Sequence, residues 1–224
     1  MREHICGNAP VPLPRASFQM GPMGRAFRAQ AIPDACLEHI IEGARRASAP
    51  EDIHPWRWII VRSEGGKQQL AAAVQVQASF STASVVVMCL ADTAAWKSAP
   101  QRLQAMVARG ELTERQAREA LGRVRDYYAA SPDAARRTAI GSTFLPLHHM
   151  LAAAAECGVS AYWVPEFDEA SIKTHFHIPD RFVVAALLTM GYQDEKASAA
   201  TQDGSSPSVY REKFGEAMAQ GGGC

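Results

Sequence analysis

The chain has 224 residues, of which 47% are apolar, so it is long enough to bury a sizeable core in one domain with flanking segments. Its 23 basic and 23 acidic residues cancel, which argues against nucleic acid or an anionic membrane surface as a partner and favours small molecules or proteins. The five cysteines are widely spaced without a metal-finger pattern, so we expect reduced thiols. No secretory signal or apolar run of ~18 residues is found, and we expect a cytoplasmic protein.

Composition divides the chain into three parts. Residues 1–30 are rich in Pro, Gly and Met without a sustained period, which predicts an irregular N-terminal arm. Residues 31–195 carry the periodic apolar pattern of a folded domain. Residues 196–224 are polar and rich in Gly and Ser, which predicts a flexible tail with a possible short helix over 208–219.

The first half of the domain predicts helices and strands in alternation. Pro33 and Asp34 open a helix whose apolar residues fall at helical spacing, and the Asp34 carboxylate suits its positive amino end. After a loop over 48–55, aromatic and β-branched residues predict a strand over 56–61. A short helix over 67–76 and a strand over 84–90 follow. The second strand is apolar throughout, as in sheets covered by helices on both faces.

The second half is mostly helical. Thr113 and Gln116 have the form of a capping box for a helix that extends to residue 130, and Gly110 ends the helix before it. A long Ala-rich helix is apolar around much of its circumference and is therefore expected to be central. The predicted elements are helices over 96–109, 113–130, 133–157 and 169–176, and strands over 159–164 and 181–190. Four strands interleaved with helices favour an α/β fold built as an α+β layered sheet.

Several of these segments together resemble the nitroreductase family of flavin enzymes. The resemblance covers residues 25–192 and rests on AIPDACLEHIIEGARRAS, on HPWRWIIV and on the Ala-rich helix that leads into AECGVSAYWVPEFDEASIKTHFHIPDRFVVAALLTMGY. It implies a mixed sheet flanked by helices, an intertwined homodimer, and two FMN molecules at the subunit interface. It also implies that NAD(P)H reduces a small conjugated substrate such as a nitro compound or a quinone.

The residues expected at the FMN phosphate depart from the family pattern. Charge-assisted donors are needed to hold a phosphate. The family usually offers an Arg-x-Ser element six residues before an aromatic, but residues 21–23 before Phe27 are Gly, Pro and Met. Arg25 matches a later arginine of that pattern. Arg211, with Lys213, is a candidate substitute for a missing basic residue after the Gly-Tyr turn, or it lies on the polar face of a tail helix.

The residues expected at the flavin ring also differ. Asp52 and His54 stand where the family has Asn and Gln, and His54 either donates to the ligand or only caps the loop before Pro55. Where a backbone N–H normally meets flavin N5, the chain has Pro165, which has no N–H. A shift of one residue would give that role to Glu166. Together with the lost phosphate contacts, these changes predict that FMN is bound weakly.

Three functions remain open at this stage. The first is an FMN oxidoreductase, the second a flavin-free descendant that acts as a binding or partner module, and the third a flavin-remodelling enzyme similar to 5,6-dimethylbenzimidazole synthase. A metal site is disfavoured because the pairs His148–His149 and His175–His177 have poor ligand spacing. Tyr162 and Trp163 either stack on a planar ligand or belong to the core.

Overall fold

The computed structural model describes residues 26–75, 77–193 and 212–213. Seven helices and four strands lie within these ranges. The helices are α1 (Asp34–Arg45), α2 (Glu64–Ala72), α3 (Gln77–Thr82), α4 (Ala99–Ala108), α5 (Glu114–Ala129), α6 (Pro132–Glu156) and α7 (Glu169–His175). The strands are β1 (Trp56–Val61), β2 (Val85–Asp92), β3 (Ser160–Val164) and β4 (Phe182–Gly191).

The four strands form one sheet in the order β1-β2-β4-β3. All three pairings between the described strands are antiparallel. The layered sheet expected from the sequence is confirmed, but its strands, expected to be mixed in direction, are antiparallel, which makes the fold α+β. An apolar run shows that both faces of a strand are covered, but it carries no information on the direction of the neighbouring strands.

Helices cover both faces of the sheet. Alternate residues of β2 point to opposite faces, so Val86 and Met88 meet the side chains of α2, α3 and α7, whereas Val87 and Cys89 meet those of α1 and α6. All eight residues of β2 are buried. This double burial explains why the β2 sequence is apolar throughout instead of alternating.

The long helix α6 packs closely against α1. A Cβ added at Gly43 of α1 would lie only 2.9 Å from the Ala153 Cβ, so glycine permits the close approach. The Ser131 hydroxyl accepts a hydrogen bond from the Asp133 N–H at 3.2 Å at the start of α6, and Gly158, with φ of 67°, follows its end. The prediction of a long central helix is confirmed.

The helices α4 and α5 form a hairpin with its own apolar cluster, which includes Ile53 of the loop before β1. The predicted capping box at Thr113 and Gln116 is present, and Gly110 has a φ of 76° in the turn between the helices. The hairpin therefore fixes one side of the 49–55 loop.

The predicted helix over 67–76 is wrong in its limits, because α2 begins at Glu64 and ends at Ala72, and α3 begins only at Gln77. The Ser63 hydroxyl accepts a hydrogen bond from the Gly66 N–H at 3.2 Å, so α2 begins earlier than the apolar pattern suggests. The predicted arm and the predicted helix over 208–219 fall almost entirely outside the described residues. Among the described helices, none combines the length and apolar character needed to cross a membrane.

Candidate flavin site

The loop before β1 holds two of the residues expected to meet a flavin. Residues Pro50–Asp52 form one 3-10 turn in which Glu51 and Asp52 have φ of 49° and 55°. The His54 Nε2 lies 3.4 Å from the Asp52 Oδ1, and the Arg102 Nη1 of α4 lies 3.5 Å from the Asp52 Oδ2. Asp52, His54 and Arg102 therefore form one polar cluster.

Arg102 determines the tautomer of the neutral His54 ring. The Arg102 Nη1 lies 3.4 Å from the His54 Nδ1, and a guanidinium can only donate, so Nδ1 is the acceptor. The proton of the neutral ring is consequently on Nε2, which faces Asp52. The sequence raised the possibility that His54 donates to a ligand, but here its donor already has a partner within the chain. The His54 ring also packs against Trp56, with 5.0 Å between ring centroids.

The environment of His54 favours its neutral form. Burial lowers the pKa of His54 most strongly, the Asp52 carboxylate raises it, and the Arg102 and Arg57 guanidinium groups lower it further. The net direction is below the ordinary value of 6.5. His54 is thus a neutral imidazole at neutral pH.

Pro165 and Glu166 are exposed directly after β3. Pro165 cannot donate from its backbone, and the Glu166 N–H has no acceptor among the described residues. The next residues are anchored, because the Asp168 N–H donates to the Ala73 carbonyl at 2.8 Å and the Asp168 carboxylate accepts from the Ser171 N–H at 3.1 Å. The segment therefore presents one unused backbone donor from a fixed position.

The two parts of the expected flavin site are not brought together within one chain. The Asp52–His54 cluster precedes β1 and the Pro165–Glu166 segment follows β3, and these are the two edge strands. Three inter-strand gaps separate the edges, which amounts to about 14 Å. A single chain supplies two partial sites on opposite edges of the sheet.

Arg25 and Arg211, the candidates for the phosphate, lie outside the described residues. Phe27, two residues after Arg25, is well fixed: its N–H donates to the Thr82 hydroxyl at 3.0 Å, and its ring occupies the space beside Gly191. A Cβ at Gly191 would lie 2.7 Å from that ring. Gly191, which with Tyr192 forms the Gly-Tyr pair of the sequence, ends β4 and leaves the space that the Phe27 ring occupies.

Other sequence candidates belong to the core. Tyr162 packs on Phe27 with 5.3 Å between ring centroids, and Trp163 packs edge-on against Phe144 at 5.5 Å. Burial raises the pKa of the Cys89 thiol, and burial with a hydrogen bond to Cys36 raises that of Cys157 to about 11, as expected for unreactive packing thiols. Within the described ranges, no group of three or more His, Cys, Asp or Glu side chains is placed to hold a metal ion.

Arg102 is the site residue that sequence reasoning missed. It lies 48 positions from His54, and only the packing of the α4–α5 hairpin beside the 49–55 loop brings the two together. Sequence spacing contains no signal for this contact.

An antiparallel sheet with helices on both faces defines a layered α+β protein, and the two groups of candidate site residues lie at opposite edges of this sheet. The chain belongs to the Nitroreductase family, whose profile matches residues 23–192. A relative described as an NADH dehydrogenase of Thermus thermophilus is 26% identical over 172 residues, which is 77% of this chain and 82% of the relative.

Solved structures show the same fold. A nitroreductase-like protein of Streptococcus mutans superposes with a TM-score of 0.72 at 19% identity, covering 82% of this chain and 90% of that one. A protein of Exiguobacterium sibiricum, solved in complex with FMN, gives a TM-score of 0.71 at 19% identity, covering 82% and 89% of the two chains. At these identities the superpositions bear on the fold alone.

Proposed function

We propose that the protein is an FMN-dependent oxidoreductase that uses NAD(P)H to reduce a small conjugated acceptor. The observation that carries this proposal is the family match over residues 23–192, which includes both partial sites. The Thermus thermophilus relative is named for the oxidation of NADH, and the Exiguobacterium sibiricum structure contains FMN. Both facts agree with the proposed cofactor and reductant.

The donors present fit a flavin ring. The Glu166 N–H is exposed and has no competing acceptor among the described residues, so it is available to the polar edge of the ring, whereas Pro165 beside it offers no donor. We assign the phosphate to Arg25 and Arg211. When bound, FMN supplies a carrier that accepts hydride equivalents from the reduced nicotinamide and passes them to the acceptor.

The chain's own residues hold the walls of this site. The cluster of Asp52, His54 and Arg102 ties the 49–55 loop to α4, which fixes the loop position before any ligand binds. Because the His54 Nε2–H is directed to Asp52, the role of His54 is to position the loop. Trp56, only 8% exposed, buries the start of β1 directly after the loop and so anchors the end of the loop.

We propose that a second copy of the chain completes the site. The candidate residues lie at the two edges of the sheet, about 14 Å apart, so a single chain does not bring them together around one edge of the flavin ring. A two-fold dimer would place the 49–55 loop of one subunit beside the Pro165–Glu166 segment of its partner. The homodimer implied by the family resemblance agrees with this proposal.

The cofactor proposal is tested by purifying the protein, recording its visible absorption and titrating it with FMN. Because Pro165 has no N–H and the Arg-x-Ser element is replaced, we expect a dissociation constant in the micromolar range or above. NADH oxidation with a quinone or a nitroarene should then rise with added FMN and saturate. Protein that neither binds FMN nor oxidises NADH at saturating FMN would reject the proposal in favour of a flavin-free binding module.

A further inference from the structure

A cleft of about 310 Å³ lies beside the polar cluster. We name it the arginine cleft, and it is lined by Asp52, Ser98, Gln101, Arg102, Ala105 and Arg109. Most of these residues lie on one face of α4, because positions 98, 101, 102, 105 and 109 repeat at helical spacing. Ala105 has the smallest side chain in the middle of this row, which leaves room between the two arginines.

Each guanidinium in the cleft has one nitrogen with no acceptor. Arg102 uses Nε for the Ser98 hydroxyl and Nη1 for Asp52 and His54, so its Nη2 is unused within the described residues. Arg109 uses Nε and Nη2 for the two carboxylate oxygens of Glu111, at 2.6 and 3.1 Å, and its Nη1 is likewise unused there. Asp52 is the single acidic residue among the six that line the cleft.

These unused donors suit an anion. A guanidinium NH₂ group forms charge-assisted hydrogen bonds with carboxylate oxygens. The two arginines are seven positions apart, which is about 10 Å along the helix axis. This distance is close to the length of a small planar molecule. A molecule whose carboxylate binds one arginine therefore has room for its remaining atoms within the cleft. When the carboxylate binds Arg109, the far end of the molecule points along α4 toward Arg102 and Asp52, and Asp52 belongs to the loop assigned to the flavin ring.

We propose that the arginine cleft makes the enzyme selective for acceptors that carry a carboxylate, with Arg109 and Arg102 as specificity-determining residues. This inference rests on the proposed oxidoreductase function, and it names the substrate class of the same site. The phosphate of NADPH offers a related anionic chemistry, and the experiment separates that source from the substrate carboxylate.

The test compares 4-nitrobenzoate with 4-nitrobenzamide, which has the same shape but no charge. In the parent protein, supplied with FMN, we expect a higher kcat/KM for 4-nitrobenzoate than for 4-nitrobenzamide. In Arg109→Gln the ratio of the two kcat/KM values should fall about ten-fold or more, because a charge-assisted bond is lost. The matched control is Arg115→Gln, an exposed arginine of α5 outside the cleft, for which the ratio should not change.

A binding titration with the two compounds separates this inference from the proposed function. Tighter binding of the carboxylate, lost in Arg109→Gln, supports the cleft even if neither compound is turned over, a result that would count against the oxidoreductase. Turnover with an unchanged ratio in Arg109→Gln overturns the cleft and leaves the oxidoreductase standing. If Arg109→Gln changes only the preference between NADPH and NADH, the cleft binds the additional phosphate of NADPH, and the assignment to a substrate carboxylate is overturned.

Discussion

His54 illustrates how a single contact decides the role of a residue. Its pKa should lie below 6.5 in a proton NMR titration, because burial disfavours the imidazolium. Asp52→Asn should lower the pKa of His54 further, since it removes the negative charge that raises it. Arg102→Gln should move the pKa the other way, since it removes a repelling cation. A His54 pKa above 6.5 in the parent protein would contradict the arrangement.

The lowered pKa of His54 also makes the free energy of unfolding depend on pH. A histidine whose pKa is lower in the folded state binds more protons when unfolded, so its contribution to the free energy of unfolding increases with pH. That contribution is complete above about pH 6.5, the ordinary pKa of an unfolded-state histidine, and it is lost as the pH falls from there through the folded-state pKa. Urea unfolding across this range should show a smaller pH dependence in His54→Gln. An equal dependence in both proteins would assign the effect to other groups.

Pro165 offers a second test at the level of one residue. Pro165→Ala supplies the backbone N–H that the native chain lacks, and it should tighten FMN binding by about 1 kcal/mol, or roughly five-fold. The matched control is Pro179→Ala, another exposed proline in a connecting segment, which should leave FMN affinity unchanged. An identical FMN titration for both variants would show that residue 165 does not face the flavin.

Among the structural elements, the junction between β4 and the segment before α1 is sensitive to a single methyl group. Gly191→Ala would place a Cβ 2.7 Å from the Phe27 ring, so the ring must move and we expect a loss of about 1–3 kcal/mol in the free energy of unfolding. Gly122→Ala is the control, because nothing lies within 4 Å of its added Cβ and alanine favours the interior of α5. Urea unfolding midpoints should shift in opposite directions.

The sequence was informative where the signal is local. The start of α5 follows from the capping box of Thr113 and Gln116, and the end of α6 from Gly158, signals that involve residues within a few positions. The direction of the strands and the contact between His54 and Arg102 depend on packing between distant segments, so no local pattern predicted them. For the same reason the sequence grouped His54 with Glu166, whereas the fold places them at opposite edges of one sheet.

For the whole molecule, the separation of the two partial sites predicts assembly. Light scattering should give a mass of about twice the 24.2 kDa of one chain at micromolar concentration. Leu145, which is 49% exposed on α6, is a candidate interface residue, and Leu145→Glu should weaken the dimer because it would bury an unpaired charge. The control is Gln104→Glu, which makes the same charge change at an exposed position of α4 and should leave the dimer unchanged. A stable monomer of the parent protein would refute the shared site.

The backbone of the 49–55 loop also limits how this site could have diverged. Glu51 and Asp52 occupy the left-handed region, which Asn and Asp adopt more readily than other residues that have a Cβ. The family pattern has Asn where this chain has Asp52. An exchange of Asn for Asp keeps the loop conformation and replaces an amide donor with an acceptor that can hold an arginine and a histidine. The backbone at residue 52 therefore accepts either side chain, and the choice between them decides whether this position offers a donor or only acceptors.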